Sequence, residues 1–186
     1  MIIGLTGGYG AGKDTVAEYL LTKGFIRISL SDIIRDQCIQ DDIALTRDNL
    51  IHKGNELRKK FGPWILAKIA KQKMMPRKDY VVVSIRNPAE VKELKRLEDF
   101  HLVNVTSPDT MRFERVNSRR RDGEKYSNLE EFLAKERKEM ESKDEFGQKM
   151  EQVSRMATIV LQNRYKTKRE LFAVLDRLYS DLRKGK

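Results

Sequence analysis

The sequence predicts an α/β fold built on a five-stranded parallel sheet, and two patterns lead to that prediction. Short apolar runs typical of buried strands alternate along the chain with longer segments whose apolar residues recur at helical spacing. A glycine-rich turn joins the first apolar run to the first helical segment. Alternating strands and helices form a parallel sheet with helices on both faces, so we expect three layers. No internal repeat or low-complexity linker interrupts the 186 residues, which indicates a single domain.

Local signals place each element in turn. Gly24 follows the first helical segment as a stop, Ser31 is a helix N-cap type, and the valines at 81–83 give the strongest strand signal. The predicted strands are residues 2–5, 25–30, 80–85, 100–106 and 157–161. The predicted helices are residues 13–23, a segment starting at 31, 47–72 with a break at 62–63, 88–97, 109–121, 128–142 and 167–182.

The composition indicates anionic partners. The net charge is +10 and charged residues make up 35% of the chain, against about 25% in an average protein. Such a balance fits nucleic acid, or a site that holds two phosphorylated substrates at once, or simply a solvated lysine-rich surface. The composition alone leaves these three interpretations open.

Other features restrict the class of protein. Cys38 is the single cysteine, so an intrachain disulfide is excluded, and no Cys/His cluster predicts a structural zinc site. No apolar run reaches about 18 residues, and no charged, apolar leader precedes the first motif. We therefore expect a soluble, cytoplasmic protein without a membrane partner. Trp64 and the methionines are expected in the core.

The segment Gly7 to Thr15, GGYGAGKDT, has the pattern of a phosphate-binding loop (P-loop) between a strand and a helix. Glycines allow backbone N–H groups to turn inward around an anion, and the helix N-terminus adds partial positive charge. Lys13 supplies a full charge for the β- and γ-phosphates of ATP. The predicted nucleotide-binding residues are Gly8, Gly10, Ala11, Gly12, Lys13, Asp14 and Thr15.

Asp14 departs from the usual motif, in which Ser or Thr follows the lysine and binds Mg²⁺ through its hydroxyl. A carboxylate beside phosphates is repelled unless a metal ion lies between them, and it is then a strong oxygen ligand. We predict that Asp14 binds Mg²⁺ directly or through water. The alternative is an acid that only stabilises the first turn of the helix.

The stretch from Ile28 to Arg35, ISLSDIIR, resembles the segment after the second strand of nucleoside monophosphate kinases such as adenylate kinase. In that family an Arg at the position of Arg35 holds the acceptor phosphate, and Ser31 stands where the family has Gly. The later stretch VVSIRNP resembles the turn in which a second Arg, here Arg86, grips the acceptor. The resemblance extends to deoxynucleotide monophosphate kinase-like proteins, with dephospho-coenzyme A kinase as a cousin.

Two acidic positions bear on what this resemblance implies. The family turn carries an Asp that helps to fix Mg²⁺, where this chain has Val83. The loss could weaken catalysis, or Asp14 could hold the metal from the other side, which is the interpretation we favour. Asp32 would be a catalytic base if the acceptor is a hydroxyl, as in dephospho-coenzyme A kinase-like sites, whereas a phosphate acceptor needs no strong base.

The resemblance also assigns regions of the chain. It implies one P-loop kinase domain over residues 1–182, with acceptor-binding helices at 36–75, a short lid at 112–127 and a basic tail at 183–186. Arg47 and Arg58 are candidate acceptor contacts, although a solvated helix face explains each equally well. Asn163 follows the last strand, where similar kinases place the donor adenine, but it could instead cap a turn.

Clustered arginines at 112, 115, 119, 120 and 121 predict the lid. Arg112, Arg115 and Arg119 share one helical face, and closing arginines stabilise the charge of a transferred phosphoryl group. Arg115 and Arg119 are the predicted catalytic pair, with Arg121 behind them and the run 121–124 as the flexible part. An RNA-binding patch is the rival interpretation, but only Phe113 in the cluster could stack on a base.

The sequence therefore predicts an ATP- and Mg²⁺-dependent kinase that acts on a (deoxy)nucleoside monophosphate, as a monomer or homodimer. Lys13, Arg115, Arg119 and Asp32 are its predicted catalytic residues, and Arg35, Arg47 and Arg86 are its predicted acceptor contacts. A kinase for another small acceptor, such as dephospho-coenzyme A, and a non-kinase nucleotide or nucleic-acid binder are the alternatives.

Overall fold

The computed structural model describes residues 1–119, 125–140 and 146–184, with backbone only at 138–140. The strands are β1 (Ile2–Thr6), β2 (Ile26–Ser29), β3 (Tyr80–Val83), β4 (Phe100–Thr106) and β5 (Ile159–Gln162). The helices of these ranges are α1 (Lys13–Thr22), α2 (Leu30–Gln40), α3 (Arg47–Phe61), α4 (Ile65–Gln72), α5 (Pro88–Leu94), α6 (Asp109–Ser118), α7 (Leu129–Met140), α8 (Met150–Arg155) and α9 (Lys168–Lys184).

The five strands form one parallel sheet in the order β2-β3-β1-β4-β5. Apolar side chains cover both of its faces, which is why the strands are continuous apolar runs. On one face α1 and α9 pack through Val16, Leu20, Leu171 and Leu175. On the other face α2 to α5 and α8 pack around Leu30, Leu66, Val91 and Val153. The predicted three-layer α/β fold is confirmed.

The sheet order determines where a site can form. β1 lies in the centre, with β3 on one side and β4 on the other. The chain leaves β1 and β3 at the same edge of the sheet because the strands are parallel. The turn after Thr6 and the turn after Val83 therefore lie side by side, and this edge is where ligands bind in open α/β sheets.

Some predictions about individual segments need correction. Trp64 is 44% exposed and Met75 is also exposed, so the expectation that both lie in the core is wrong. Trp64 is the N-cap residue of α4, and Met75 lies in the loop after that helix, so both are at the surface. Helix α8 was not predicted, and α9 continues to Lys184, so Arg183 is helical and pairs with Asp79 instead of starting a loose tail.

Part of the predicted lid is described and part is not. Residues 112–118 belong to α6, and 125–127 lead into α7. Arg120, Arg121 and the run 122–124 lie outside the described residues, as do residues 185–186 of the predicted tail. Within the described ranges, no helix combines the length and the apolar character needed to cross a bilayer.

Candidate functional site

The turn between β1 and α1 has the backbone of an anion-binding loop. Gly10 has φ +71° and Gly12 has φ +102°, in the left-handed region that favours glycine. A Cβ atom on Gly12 would lie 2.3 Å from the Asn163 side-chain nitrogen, and one on Gly10 would lie 2.4 Å from the Arg112 carbonyl oxygen. Both glycines are therefore required by conformation and by close packing.

Lys13 begins α1 and turns back over this loop. Its Nζ atom donates hydrogen bonds to the carbonyl oxygens of Gly7 at 2.6 Å and Gly8 at 2.7 Å. Burial, and then the nearby positive charge of Arg86, lower the pKa of Lys13 to about 8. The charged form of this buried side chain is therefore stabilised when an anion approaches it.

Two predicted site residues support the loop from behind instead of lining the cleft. Asn163 is buried and donates from Nδ2 to the carbonyl oxygen of Ala11 at 2.8 Å. Arg115 donates from Nη1 to the carbonyl oxygen of Gly10 at 3.3 Å and from Nη2 to that of Tyr165 at 2.8 Å. These contacts join the P-loop to the loop after β5.

A buried ion pair, absent from the sequence predictions, supports the front of the loop. The Glu136 carboxylate on α7 accepts a hydrogen bond from the Tyr9 backbone N–H at 2.8 Å and one from Arg112 Nη1 at 2.5 Å. Arg112 also donates to the Tyr9 carbonyl oxygen at 3.1 Å, and its guanidinium lies over the Phe132 ring. Arg112 is therefore a support of the P-loop, and Glu136 belongs to the same support.

A cleft of about 770 Å³ opens beside the loop and passes between α1, α2 and α3. Of the predicted nucleotide-binding residues, Gly10, Lys13 and Asp14 line it. Gly8, Ala11, Gly12 and Thr15 complete the turn and the start of α1 without lining the cleft. Arg119, just after α6, also lines it and lies 3.7 Å from the Asp14 carboxylate.

Three arginines outside the P-loop form a basic wall of the cleft. It carries Arg35 of α2, Arg47 at the start of α3 and Arg86 of the turn after β3, so the three predicted acceptor contacts meet in one cleft. The Arg47 guanidinium lies 5.1 Å from the centre of the Tyr9 ring. Arg86 donates from Nη1 to the Gln148 side-chain oxygen at 2.7 Å. Gln148 and the buried Met150 are cleft residues that sequence reasoning missed, since no motif marks them.

Asp32 and Arg58 have other positions. Asp32 does not line the cleft, and its carboxylate lies 3.1 Å from Arg35 and 3.6 Å from Arg27. Arg58 reaches the cleft wall but is buried in an ion pair with Glu90 at 2.8 Å. Neither side chain is therefore placed as an isolated group facing the cleft.

At the end of β3, where the resemblance to nucleoside monophosphate kinases implies an acid, this chain has Val83 followed by Ser84. Val83 is buried in the core against the α1 side of the sheet. The next residue, Ser84, has φ +62°, a strained conformation for a non-glycine residue, and its Oγ lies 3.2 Å from Ser31 Oγ at the cleft. In the described ranges, no group of three or more His, Cys, Asp or Glu residues could hold a metal ion.

Comparison with known sequences finds relatives along most of the chain. A family model described as an AAA domain matches residues 3–145. A UPF0200 protein of Pyrococcus abyssi is 32% identical over 147 residues, which cover 75% of this chain and 78% of the relative. A UPF0200 protein of Pyrococcus horikoshii is 35% identical over 148 residues, with the same coverage of both chains.

Solved structures share the fold. Shikimate kinase from Acinetobacter baumannii, in complex with shikimate, has a TM-score of 0.58 at 15% identity, covering 97% of this chain and 93% of its own. TT1252 from Thermus thermophilus has a TM-score of 0.56 at 24% identity, covering 96% and 97%. A gluconokinase from Sinorhizobium meliloti has a TM-score of 0.51 at 17% identity, covering 97% and 94%. The fold is therefore that of P-loop kinases, as predicted.

Proposed function

Because the chain belongs to the UPF0200 family, and within it carries an AAA domain with a P-loop kinase fold, we propose that it is a nucleotide kinase. Its reaction moves the γ-phosphoryl group of ATP onto the phosphate of a (deoxy)nucleoside monophosphate. One observation supports this most directly. Arginines from three separate elements line the same cleft as the P-loop lysine, so the cleft is suited to two phosphorylated ligands.

In this proposal the P-loop binds the donor and the basic wall binds the acceptor. Lys13 and the loop N–H groups hold the β- and γ-phosphates, while Arg35 and Arg86 hold the acceptor phosphate. An acceptor oxygen forms a bond to the γ-phosphorus as the bond from that phosphorus to the β–γ bridging oxygen breaks. ADP leaves with the electron pair. The nucleophile is already anionic, so no proton has to be removed from it.

Arg119 is the lid arginine that we assign to the transferred phosphoryl group. It lines the cleft, whereas both Nη groups of Arg115 are bound to carbonyl oxygens behind the loop. We therefore assign Arg115 a positioning role. Loss of Arg119 is expected to lower kcat, since its charge acts on the transition state.

The residues present fit a magnesium ion at the P-loop. Asp14 lines the cleft one residue after Lys13, and its side chain is half exposed beside Arg119. A bound Mg²⁺ would neutralise charge on the β- and γ-phosphates. Asp14 is the carboxylate that would hold it, in place of the acid that nucleoside monophosphate kinases have at the position of Val83.

A phosphate acceptor suits the surroundings of Asp32 better than a hydroxyl acceptor does. Its carboxylate is shared between Arg27 and Arg35 and does not line the cleft. A hydroxyl acceptor such as dephospho-coenzyme A would need a general base within hydrogen-bond distance. Asp32 is therefore assigned to the orientation of Arg35.

An ADP-release assay with Mg-ATP tests the proposal. The acceptors are the common nucleoside monophosphates, their deoxy forms, dephospho-coenzyme A and shikimate, and Lys13→Ala is the inactive control. Strong stimulation by one nucleoside monophosphate, abolished in Lys13→Ala, is the expected result. Stimulation only by dephospho-coenzyme A, lost in Asp32→Asn, would favour the hydroxyl-acceptor alternative. Binding of ATP without stimulation by any acceptor would contradict a kinase function and favour a nucleotide or nucleic-acid binder.

A further inference from the structure

Arg58 and Glu90 form the most deeply buried ion pair described in the molecule, with 2% and 0% of their surfaces exposed. Arg58 donates from Nε at 3.0 Å and from Nη2 at 2.8 Å to the same Glu90 oxygen, Oε1. The pair joins α3 to α5 between residues 32 positions apart in sequence. A pair so fully removed from water is costly to bury, and apolar side chains of similar size are often as stable. Stability alone therefore does not account for it.

The second oxygen of Glu90 holds the turn that carries Arg86. Oε2 accepts a hydrogen bond from the Arg86 backbone N–H at 2.8 Å and from the Asn87 N–H at 3.0 Å. All four of these hydrogen bonds converge on one carboxylate, which satisfies both of its oxygens. On the other side of the turn, the Lys149 N–H donates to the Arg86 carbonyl oxygen at 2.8 Å. The backbone of Arg86 is thus held from two directions.

The same carboxylate therefore links two parts of the basic wall. Arg58 lies on α3, the helix that starts with Arg47 and lines the cleft with Leu50 and Ile51. Arg86 lies on the turn that Glu90 holds. The distance between these two arginines is set through a rigid, dry connection, because a buried, fully hydrogen-bonded pair has little freedom to move.

We propose that Arg58 and Glu90 are positioning residues that set the spacing between Arg47 and Arg86, and that this spacing determines how tightly the acceptor binds. This inference rests on the proposed function, since it assigns both arginines to the acceptor. Among the described contacts, neither Arg58 nor Glu90 forms a hydrogen bond or an ion pair with a P-loop residue. Their loss should therefore affect acceptor binding and leave donor binding almost unchanged.

Glu90→Gln tests the inference, and Glu93→Gln is its matched control. Glu93 lies on the same helix, is also buried and also forms ion pairs, with Lys71 at 2.6 Å and Arg96 at 2.7 Å. Binding of AMP, CMP, GMP and UMP measures the acceptor side, and ADP with Mg²⁺ measures the donor side. In Glu90→Gln we expect monophosphate binding to weaken by about tenfold and ADP binding to change by less than about twofold. Glu93→Gln should leave both unchanged.

Amide hydrogen exchange over residues 84–92 provides a readout that does not depend on the acceptor. Exchange at Arg86 and Asn87 should accelerate in Glu90→Gln and not in Glu93→Gln. If Glu90→Gln does not fold, the double variant Arg58→Met/Glu90→Gln is used in its place, because it removes both buried charges.

Two outcomes would overturn the inference: unchanged monophosphate affinity and exchange in a folded variant, or equal loss of donor and acceptor binding. If the wild type binds ADP but no monophosphate, the proposed acceptor is wrong. The exchange data then still decide whether Glu90 positions the turn.

Discussion

Lys13 gives donor binding a defined pH dependence. Burial and the charge of Arg86 lower its pKa to about 8, so the free protein loses this charge as the pH rises through that value. Bound phosphates favour the protonated amine, so binding takes up a proton above pH 8. We expect the affinity for ADP to fall by up to about tenfold per pH unit above pH 8.

Calorimetry in two buffers with different ionisation enthalpies measures this proton uptake. Lys13→Met is the control, since it should bind ADP weakly at pH 7 and show no further loss up to pH 9. A wild-type affinity that stays flat from pH 7 to 9.5 would show that the charge of Lys13 does not control donor binding.

Replacement of Asp14 should change the affinity for ADP in opposite directions with and without Mg²⁺. Without Mg²⁺ its carboxylate repels phosphate, so Asp14→Asn should bind ADP more tightly than the wild type. With Mg²⁺ the same variant loses a metal ligand, and we expect affinity to be about tenfold weaker. Titration of ADP with Mg²⁺ and with a chelator separates the two cases.

Glu18→Gln is a suitable control for that experiment. Glu18 lies on the same helix, one turn beyond Asp14, and also lines the cleft. Its carboxylate pairs with Lys168 at 2.6 Å. Its replacement should change ADP affinity in the same direction with and without the metal. If Asp14→Asn behaves in this way too, Asp14 only stabilises the first turn of α1.

Helices α6 and α7 form a support for the P-loop through the buried pair of Arg112 and Glu136. Glu136→Gln leaves the Arg112 guanidinium without its main partner, and breaking a buried pair in this way costs about 3 kcal/mol. We expect the free energy of unfolding in urea to fall by about that amount. Glu130→Gln, at an exposed position of α7, should change it by less than about 0.5 kcal/mol.

The measurement also shows whether α7 matters for the site. If Glu136→Gln is as stable as Glu130→Gln, then α7 does not support the loop. A loss of ADP affinity in the folded Glu136→Gln protein would connect α7 to donor binding through the Tyr9 N–H.

The elements with strong local signals were predictable, and those set by distant partners were not. The β1–P-loop–α1 unit follows from its glycines and apolar spacing, and the β3 valines identify the next strand. Helix α8 has only six residues, too few for a helical period to be seen. Its position depends on the packing of Val153 in the core.

The same distinction applies to the site. The motifs indicated Lys13, Asp14, Arg35 and Arg86 as ligand-binding residues, which stays a prediction, and all four line the cleft. Their supporting groups were missed because Glu136 and Glu90 act across separations of 127 residues, to Tyr9, and 32 residues, to Arg58. No local pattern carries that information. Arg115 shares a helical spacing with Arg112 and Arg119, but tertiary contacts direct each of the three to a different partner.

At the scale of the whole molecule, the net charge of +10 predicts weak, salt-sensitive association with RNA that is separate from nucleotide binding. Contacts with phosphates release counterions, so affinity for a single-stranded RNA should fall by about a hundredfold or more between 50 and 200 mM salt. Lys13→Ala should leave this association unchanged while it abolishes phosphoryl transfer. RNA binding that persists at 200 mM salt would favour a nucleic-acid function instead.

Trp64 is the only tryptophan in the chain, so it is the only source of tryptophan fluorescence. It lies half exposed at the junction of α3 and α4, with its ring against Gly62, which has φ +100°. Light that excites indole selectively is therefore absorbed at a single known place, next to the helix that begins with Arg47. Any tilt of that helix alters the contact between the ring and water, and with it the colour of the emission. The protein carries its own fluorescent reporter of movement in α3 and α4, and no dye has to be attached.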